Sequence, residues 1–247
     1  MTTVSGLRIA AEYRAESTVA VVTGRLTPAG YPELRDGVLR IAAEASVTLI
    51  VDIEGLEIAD VTLMTVFSVI ADRMVDWPAI PFAVVTARAD HAAGFAAQNI
   101  RRSVLVCRDV VAAEAARDRP PSRRAVRLLD PSSSASADAR AFVQRVCVTW
   151  GVLQYTDDAL MMATELVENA LEHTESAPQL RLELRRGTFT VAVADDDPRP
   201  AVLRERLTRT EPGLGLWLIV RAARRWGCAR SWSGGKVVWA VLVRRDR

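Results

Sequence analysis

Apolar positions along the chain fall into two regimes. In the first half, short β-branched runs alternate with stretches of helical period. TVAVVTG (18–24) predicts a strand, and VTLIVDIEG (47–55) is a continuous apolar run of the kind that enters a buried sheet. Between them, YPELRDGVLRIAAEA (31–45) puts Tyr31, Leu34, Val38 and Ile41 on one face of a helix. ADVTLMTVFSVIADRMVDW (59–77) predicts a second helix, FAVVTA (82–87) a further strand, and RDVVAAEAA (108–116) a closing helix. This alternation predicts an α/β domain with a mixed sheet and helices packed on it.

The second half has a different order. Two helices, Ala139 to Trp150 and Asp157 to about Thr174, precede the strands QLRLELRR (179–186) and TFTVAVAD (188–195). A helix from Leu214 to about Trp226 and a last strand, KVVWAVLV (236–243), follow. Helices followed by antiparallel strands predict an α+β two-layer sandwich with the sheet covered on one face. The regimes change at RDRPPSRR (117–124), where two prolines sit in charged, apolar-poor sequence. The expected organisation is a domain over 1–117, a linker over 118–126 and a domain over 127–247. DPSSSASADAR (130–140) reads as a loop ending in a helix N-cap.

Composition narrows the functional classes. The 247 residues carry 32 basic against 30 acidic side chains, which excludes a nucleic-acid binder held by a broad basic field. Lys236 is the sole lysine. No apolar run approaches the roughly 18 residues of a membrane-spanning helix, and the start lacks a signal-peptide pattern. Three scattered cysteines, Cys107, Cys147 and Cys228, fit reduced thiols in a cytoplasmic protein, and two histidines give no basis for a zinc site.

One helix carries more polarity than packing needs. In ELVENALEHT (165–174), residues four apart stack on one face, so Glu165, Asn169 and His173 lie together while Leu160, Ala163, Val167, Ala170 and Leu171 take the buried side. A carboxylate and an amide oxygen at this spacing suit a magnesium ion around a triphosphate, with the carboxylate free to accept a proton. A solvated acidic face has the same pattern. Gly234-Gly235-Lys236 lacks the spacing of a phosphate loop.

Two family resemblances add to this reading. GRLTPAGYPELRDGVL, VTLIVDIEGLEIADVTLMTVF and CRDVVAAEAA, over about residues 4 to 117, resemble a STAS domain of the anti-anti-sigma-factor kind. The resemblance implies that Thr62, within Asp60-Val61-Thr62-Leu63-Met64, stands at the hydroxyl phosphorylated by a partner kinase. A phosphate there would be favoured by a helix N-terminus; the alternative is that Thr62 simply caps the helix. Val61 and Leu63 depart from the family's Ser and Gly.

From about Arg127 to Val243, TELVENALEH, VAVADDDPRP, PGLGLWLIVRAARRWG and GGKVVWAVL match in order the ATP-binding domain shared by anti-sigma serine kinases, histidine kinases and gyrase. The resemblance implies ATP and Mg²⁺ as cofactors, Glu165 as general base, Asn169 as magnesium ligand, and Asp195 as acceptor for the adenine amino group. It assigns Gly213, Gly215 and Leu216 to the phosphate-binding turn, and residues 199–212, with Arg199, Arg204, Arg206 and Arg209, to a lid. Asp196, Asp197 and Pro198 replace the glycines expected after the aspartate, and Val237 stands where relatives carry a threonine. Together the resemblances imply a bacterial partner-switching regulator of sigma-factor activity, an anti-anti-sigma module fused to a serine/threonine-kinase-like one. Its expected partners are a sigma factor or a STAS-domain protein, with no direct nucleic acid and no membrane, and with a homodimer among its expected assemblies. The alternative is a non-catalytic module that sequesters such a partner.

Overall fold

The computed structural model describes residues 6–45, 47–75, 77–116, 122–185, 187–201, 219 and 222–243. Two compact units divide the chain, Met1–Arg119 and Pro120–Arg247.

In the first unit, β1 (Arg8–Tyr13) runs antiparallel to β2 (Thr18–Leu26), and β3 (Leu49–Asp52) lies parallel to β2 on its other side. After β4 (Leu56–Ile58), which pairs with β2, the sheet continues through β5 (Phe82–Val85) and β6 (Leu105–Cys107) in the order β1-β2-β3-β5-β6. One antiparallel and four parallel pairings make this a mixed α/β sheet. Helix α1 (Tyr31–Glu44) carries Pro32 in its first turn, where a missing N–H costs nothing, and buries Leu34, Val38 and Ile41. It packs on β2 and on α2 (Val66–Met74). Helix α3 (Ala89–Ala97) follows β5. From α4 (Val110–Ala116), Ala113 packs with Val19, Ile50, Ala83 and Val85. The continuous run in β3 is explained by this arrangement, because Leu49, Ile50 and Val51 are all fully buried.

The second unit opens on a strand. β7 (Ser122–Leu128) pairs along its length with β8 (Gln179–Arg185), so residues 122–126, expected as linker, belong to the sheet. Helices α5 (Ala135–Trp150) and α6 (Thr156–His173) come next, then β8, β9 (Thr188–Asp195), β10 (Arg225–Arg230) and β11 (Lys236–Val243). All pairings in the order β10-β11-β9-β8-β7 are antiparallel. The helix expected to reach Trp226 stops short of Arg225, where β10 begins. Gly151 ends α5 with φ 69°, a left-handed conformation natural to glycine.

Helices α5 and α6 bury Phe142, Val143, Met162, Leu166 and Val167 against Leu180, Leu182, Phe189, Val191 and Val193. Each such side chain contributes about 1.5–3 kcal/mol when fully buried. Tyr155 stacks on Phe189 at 5.5 Å and donates its hydroxyl to the Gly187 carbonyl at 2.6 Å, which ties the α5–α6 corner to the β8–β9 turn. On the other face of β8, Arg181, Glu183 and Arg185 are also buried. Glu183 lies 3.5–3.8 Å from the guanidinium groups of Arg124, Arg181 and Arg185. Burial lowers the Arg124 pKa to about 10.

Candidate functional site

In the first unit the candidate site is a turn rather than a helix end. The helix expected over 59–77 is divided: a 3-10 turn spans Val61–Thr65 and α2 starts only at Val66. Asp60, in extended conformation, caps this turn. Its Oδ1 accepts from the Thr62 N–H at 2.8 Å and from the Thr62 hydroxyl at 2.6 Å. The capping acceptor is therefore Asp60, and Thr62 is its donor, which corrects the reading of Thr62 as the cap. Both residues are exposed, and Thr62's hydroxyl and amide hold the Asp60 carboxyl below its ordinary value. Beneath the turn Met64 is buried, while Val61 faces outward. A Cβ on Gly94 of α3 would run into the Met64 sulfur and reach 3.0 Å from the Val61 side chain. This glycine allows α3 to support the turn from below.

In the second unit, α6 supplies Glu165 and Asn169, both half-buried. Burial raises the Glu165 pKa above its usual value, with Glu168 one turn along adding in the same direction. The Asn169 side-chain nitrogen is buried and has no hydrogen-bond partner among the described residues. Among natural structures such an atom calls for a ligand or a water. Glu168, Glu172 and His173 are exposed, and Glu168 accepts from the Ser136 hydroxyl of α5 at 3.2 Å. Beyond the end of α6, a cavity of 540 Å³ is lined by Pro131, Ser132, Ser133, Leu171, Thr174 and Glu175, none of them a predicted site residue.

Asp195 closes β9 opposite Lys236, the first residue of β11. Its Oδ1 accepts from Lys236 Nζ at 2.8 Å and from the Asp197 N–H at 2.9 Å. Lys236 Nζ also reaches the Asp197 carbonyl at 3.4 Å and its carboxylate at 3.5 Å. Both side chains of the Asp195–Lys236 pair are 1% exposed. Burial raises the Asp195 pKa, while Lys236 and the Asp197 amide pull against that shift. Asp197 is held well below the carboxylate range, chiefly by Arg199, whose Nε donates to it at 3.0 and 3.1 Å. Arg199, expected in a lid, is thus tied to the end of the preceding turn.

For ATP and magnesium, the residues present divide. Asn169, with a buried unpartnered amide nitrogen, and Glu165 are compatible with a ligand on α6. At the base end Asp195 is already engaged, since its Oδ1 receives the Lys236 ammonium and the Asp197 N–H. Gly213, Gly215, Leu216, Arg204, Arg206 and Arg209 lie outside the described residues. Val237 is buried and pairs with Ala194, so the residue facing Asp195 is its neighbour Lys236. Sequence reasoning weighed Lys236 only within a phosphate-loop pattern. A lone lysine beginning a strand, with acidic residues ending another, was the signal available. Among the described residues no helix is long and apolar enough to cross a membrane.

No family model matches the chain, and no curated protein matches it. Several solved structures share part of its backbone course. An anti-sigma factor antagonist from Mycobacterium paratuberculosis is 13% identical, with a TM-score of 0.41 over 47% of this chain and 97% of that one. The RsbU and RsbW domains of a Mycobacterium tuberculosis protein are 18% identical, with a TM-score of 0.40 over 51% of this chain and 34% of that one. The anti-sigma factor antagonist SpoIIAA in its unphosphorylated form is 14% identical, with a TM-score of 0.36 over 44% of this chain and 95% of that one.

Proposed function

We propose that the chain is a cytoplasmic bacterial partner-switching regulator of sigma-factor activity, in which the Asp60–Thr65 turn is the switch and the second unit is a docking module for a sigma factor or a STAS-domain protein. The observation that carries this reading is the exposed Thr62 hydroxyl, held 2.6 Å from Asp60 beside the exposed Val61. Such a hydroxyl is open to a partner kinase. Transfer forms a bond from the γ-phosphorus of the kinase's nucleoside triphosphate to Thr62 Oγ, breaks the bond from that phosphorus to the bridging oxygen, releases the nucleoside diphosphate, and passes the hydroxyl proton to a base of the kinase. The product cannot keep the present turn. Phosphate adds close to two negative charges where Asp60 now accepts a hydrogen bond, and the hydroxyl proton that made that bond is gone. Repulsion opens the turn and alters the surface that a partner reads.

A second reading, phosphotransfer by the second unit itself with Glu165 as base, is favoured by the raised Glu165 pKa and the unpartnered Asn169 nitrogen. Labelled ATP and magnesium on the purified chain, with Glu165→Ala and Asn169→Ala as controls, test it. The main reading is tested in a host carrying a sigma-dependent reporter. Phosphate is expected on Thr62, and Thr62→Ala and Thr62→Glu are expected to move the reporter in opposite directions. Two variants indistinguishable from the parent chain would end this reading.

A further inference from the structure

The only lysine of the chain is fully buried. Every other basic side chain, histidines aside, is arginine, and most of the described arginines lie at least partly at the surface. Position 236 therefore stands apart in a chain that otherwise places arginine wherever it needs a cation. The geometry supplies a reason. Nζ sits between the Asp195 oxygen at 2.8 Å and the Asp197 carboxylate at 3.5 Å, with the Asp197 carbonyl at 3.4 Å. A compact ammonium with three donors fits that space, whereas a planar guanidinium needs more room and a different set of directions.

We infer that Lys236 is the specificity-determining residue of the second unit, and that it holds Asp195 as an internal counter-ion so that this end of the unit does not accept adenine. The inference rests on the resemblance of this unit to nucleotide-binding kinases. Asp195 is 1% exposed and already paired through Oδ1, so an incoming amino group would compete with Nζ for a buried carboxylate, and losing that contact would leave the ammonium with only its longer contacts to Asp197. The backbone beside this pair is also closely packed. A Cβ on Gly235 would run into the Asp195 carbonyl and come within 2.6 Å of the Asp196 Cα, so the turn before β11 lies directly on residues 195–196. The ammonium is thus bound to the carboxylate that the resemblance assigns to a base. The second unit acts as a protein-docking module whose base end is sealed, while α6 keeps its polar face.

Calorimetric titration of the full chain with ATP and magnesium tests this, with Lys236→Thr and Lys236→Arg alongside. The parent chain is expected to show no saturable binding up to about 1 mM, and Lys236→Thr, which frees Asp195, is expected to bind at least about tenfold more tightly. Lys236→Arg is expected to destabilise the unit rather than substitute for lysine. A folded Lys236→Thr variant that binds no better than the parent overturns the inference. So does saturable micromolar binding by the parent. Should Lys236→Thr fail to fold, hydrogen exchange on the parent chain decides. ATP with magnesium is expected to leave protection at residues 193–197 and 236–240 unchanged, and new protection there would overturn the proposal. Phosphate mapping at Thr62 is independent of all these measurements, so either conclusion can fail alone.

Discussion

Asp60 in the first unit and Asp195 in the second use one oxygen in the same way. In each, Oδ1 accepts from the backbone N–H two residues ahead, at 2.8 Å from Thr62 and 2.9 Å from Asp197. In each it also accepts from a side chain, the Thr62 hydroxyl at 2.6 Å or the Lys236 ammonium at 2.8 Å. Their surroundings send them in opposite directions. Asp60 is exposed and its pKa is lowered, so the charged form is comfortable without a counter-ion. Asp195 is buried and its pKa is raised, so its charge needs the ammonium beside it. The same local turn chemistry yields an exposed contact in one unit and a buried ion pair in the other.

Removing the partner of the buried acid tests the difference most severely. Lys236→Met should cost the second unit about 3–5 kcal/mol, because it leaves Asp195 buried without its cation. Adding Asp195→Asn should recover much of that loss, since neither charge then remains at the pair. Urea denaturation of the full chain, followed through the tryptophans of the second unit, reads both. A Lys236→Met transition at the parent midpoint would remove the structural role of the ion pair. It would also make the two aspartates equivalent.

A smaller effect is expected beneath the exposed acid. Gly94→Ala places a methyl against the Met64 sulfur and Val61, and should destabilise the first unit by about 1–3 kcal/mol through overpacking. The change touches neither Asp60 nor Thr62. If α3 supports the turn as the contacts indicate, the Thr62 and Leu63 amides should exchange faster in this variant. Unchanged exchange there, with the unit still destabilised, would show that the turn holds itself together through Asp60 alone.

The sequence revealed these two aspartates unequally. The VTLIVDIEG run was legible as a buried strand because β-branched residues on both faces leave few alternatives, and β3 lies inside it. The polar face of α6 was legible from helical period. β7 was missed because two prolines and the arginines of RDRPPSRR read as a linker, while the strand's partner is β8, far along the chain. β10, RWGCAR, has no β-branched residue and is held by its pairing to β11. Helix α3, ADHAAGFAA, is rich in alanine and offers little contrast between faces. The Asp60–Thr62 contact spans two residues and follows from turn chemistry. The Asp195–Lys236 contact spans 41 residues and exists only through the β9–β11 register, which no local pattern specifies.

The mildest test separates the hydroxyl from the amide at Asp60. Thr62→Val keeps the shape and the backbone donor but removes the hydroxyl, first among the causes that lower the Asp60 pKa. The pKa should therefore rise towards its ordinary 3.8 without fully reaching it. For an acid whose folded pKa is depressed, the linked stability is present above the unfolded pKa and is lost as pH falls through the folded one. The variant should accordingly lose less stability than the parent as pH falls below 3.8. Titration of the Asp60 carboxylate carbon by NMR measures the shift directly, with Asp195 as an internal control that should not move. An unmoved Asp60 pKa would mean that the Thr62 amide alone holds the carboxylate, and that the hydroxyl is as free as its exposure suggests.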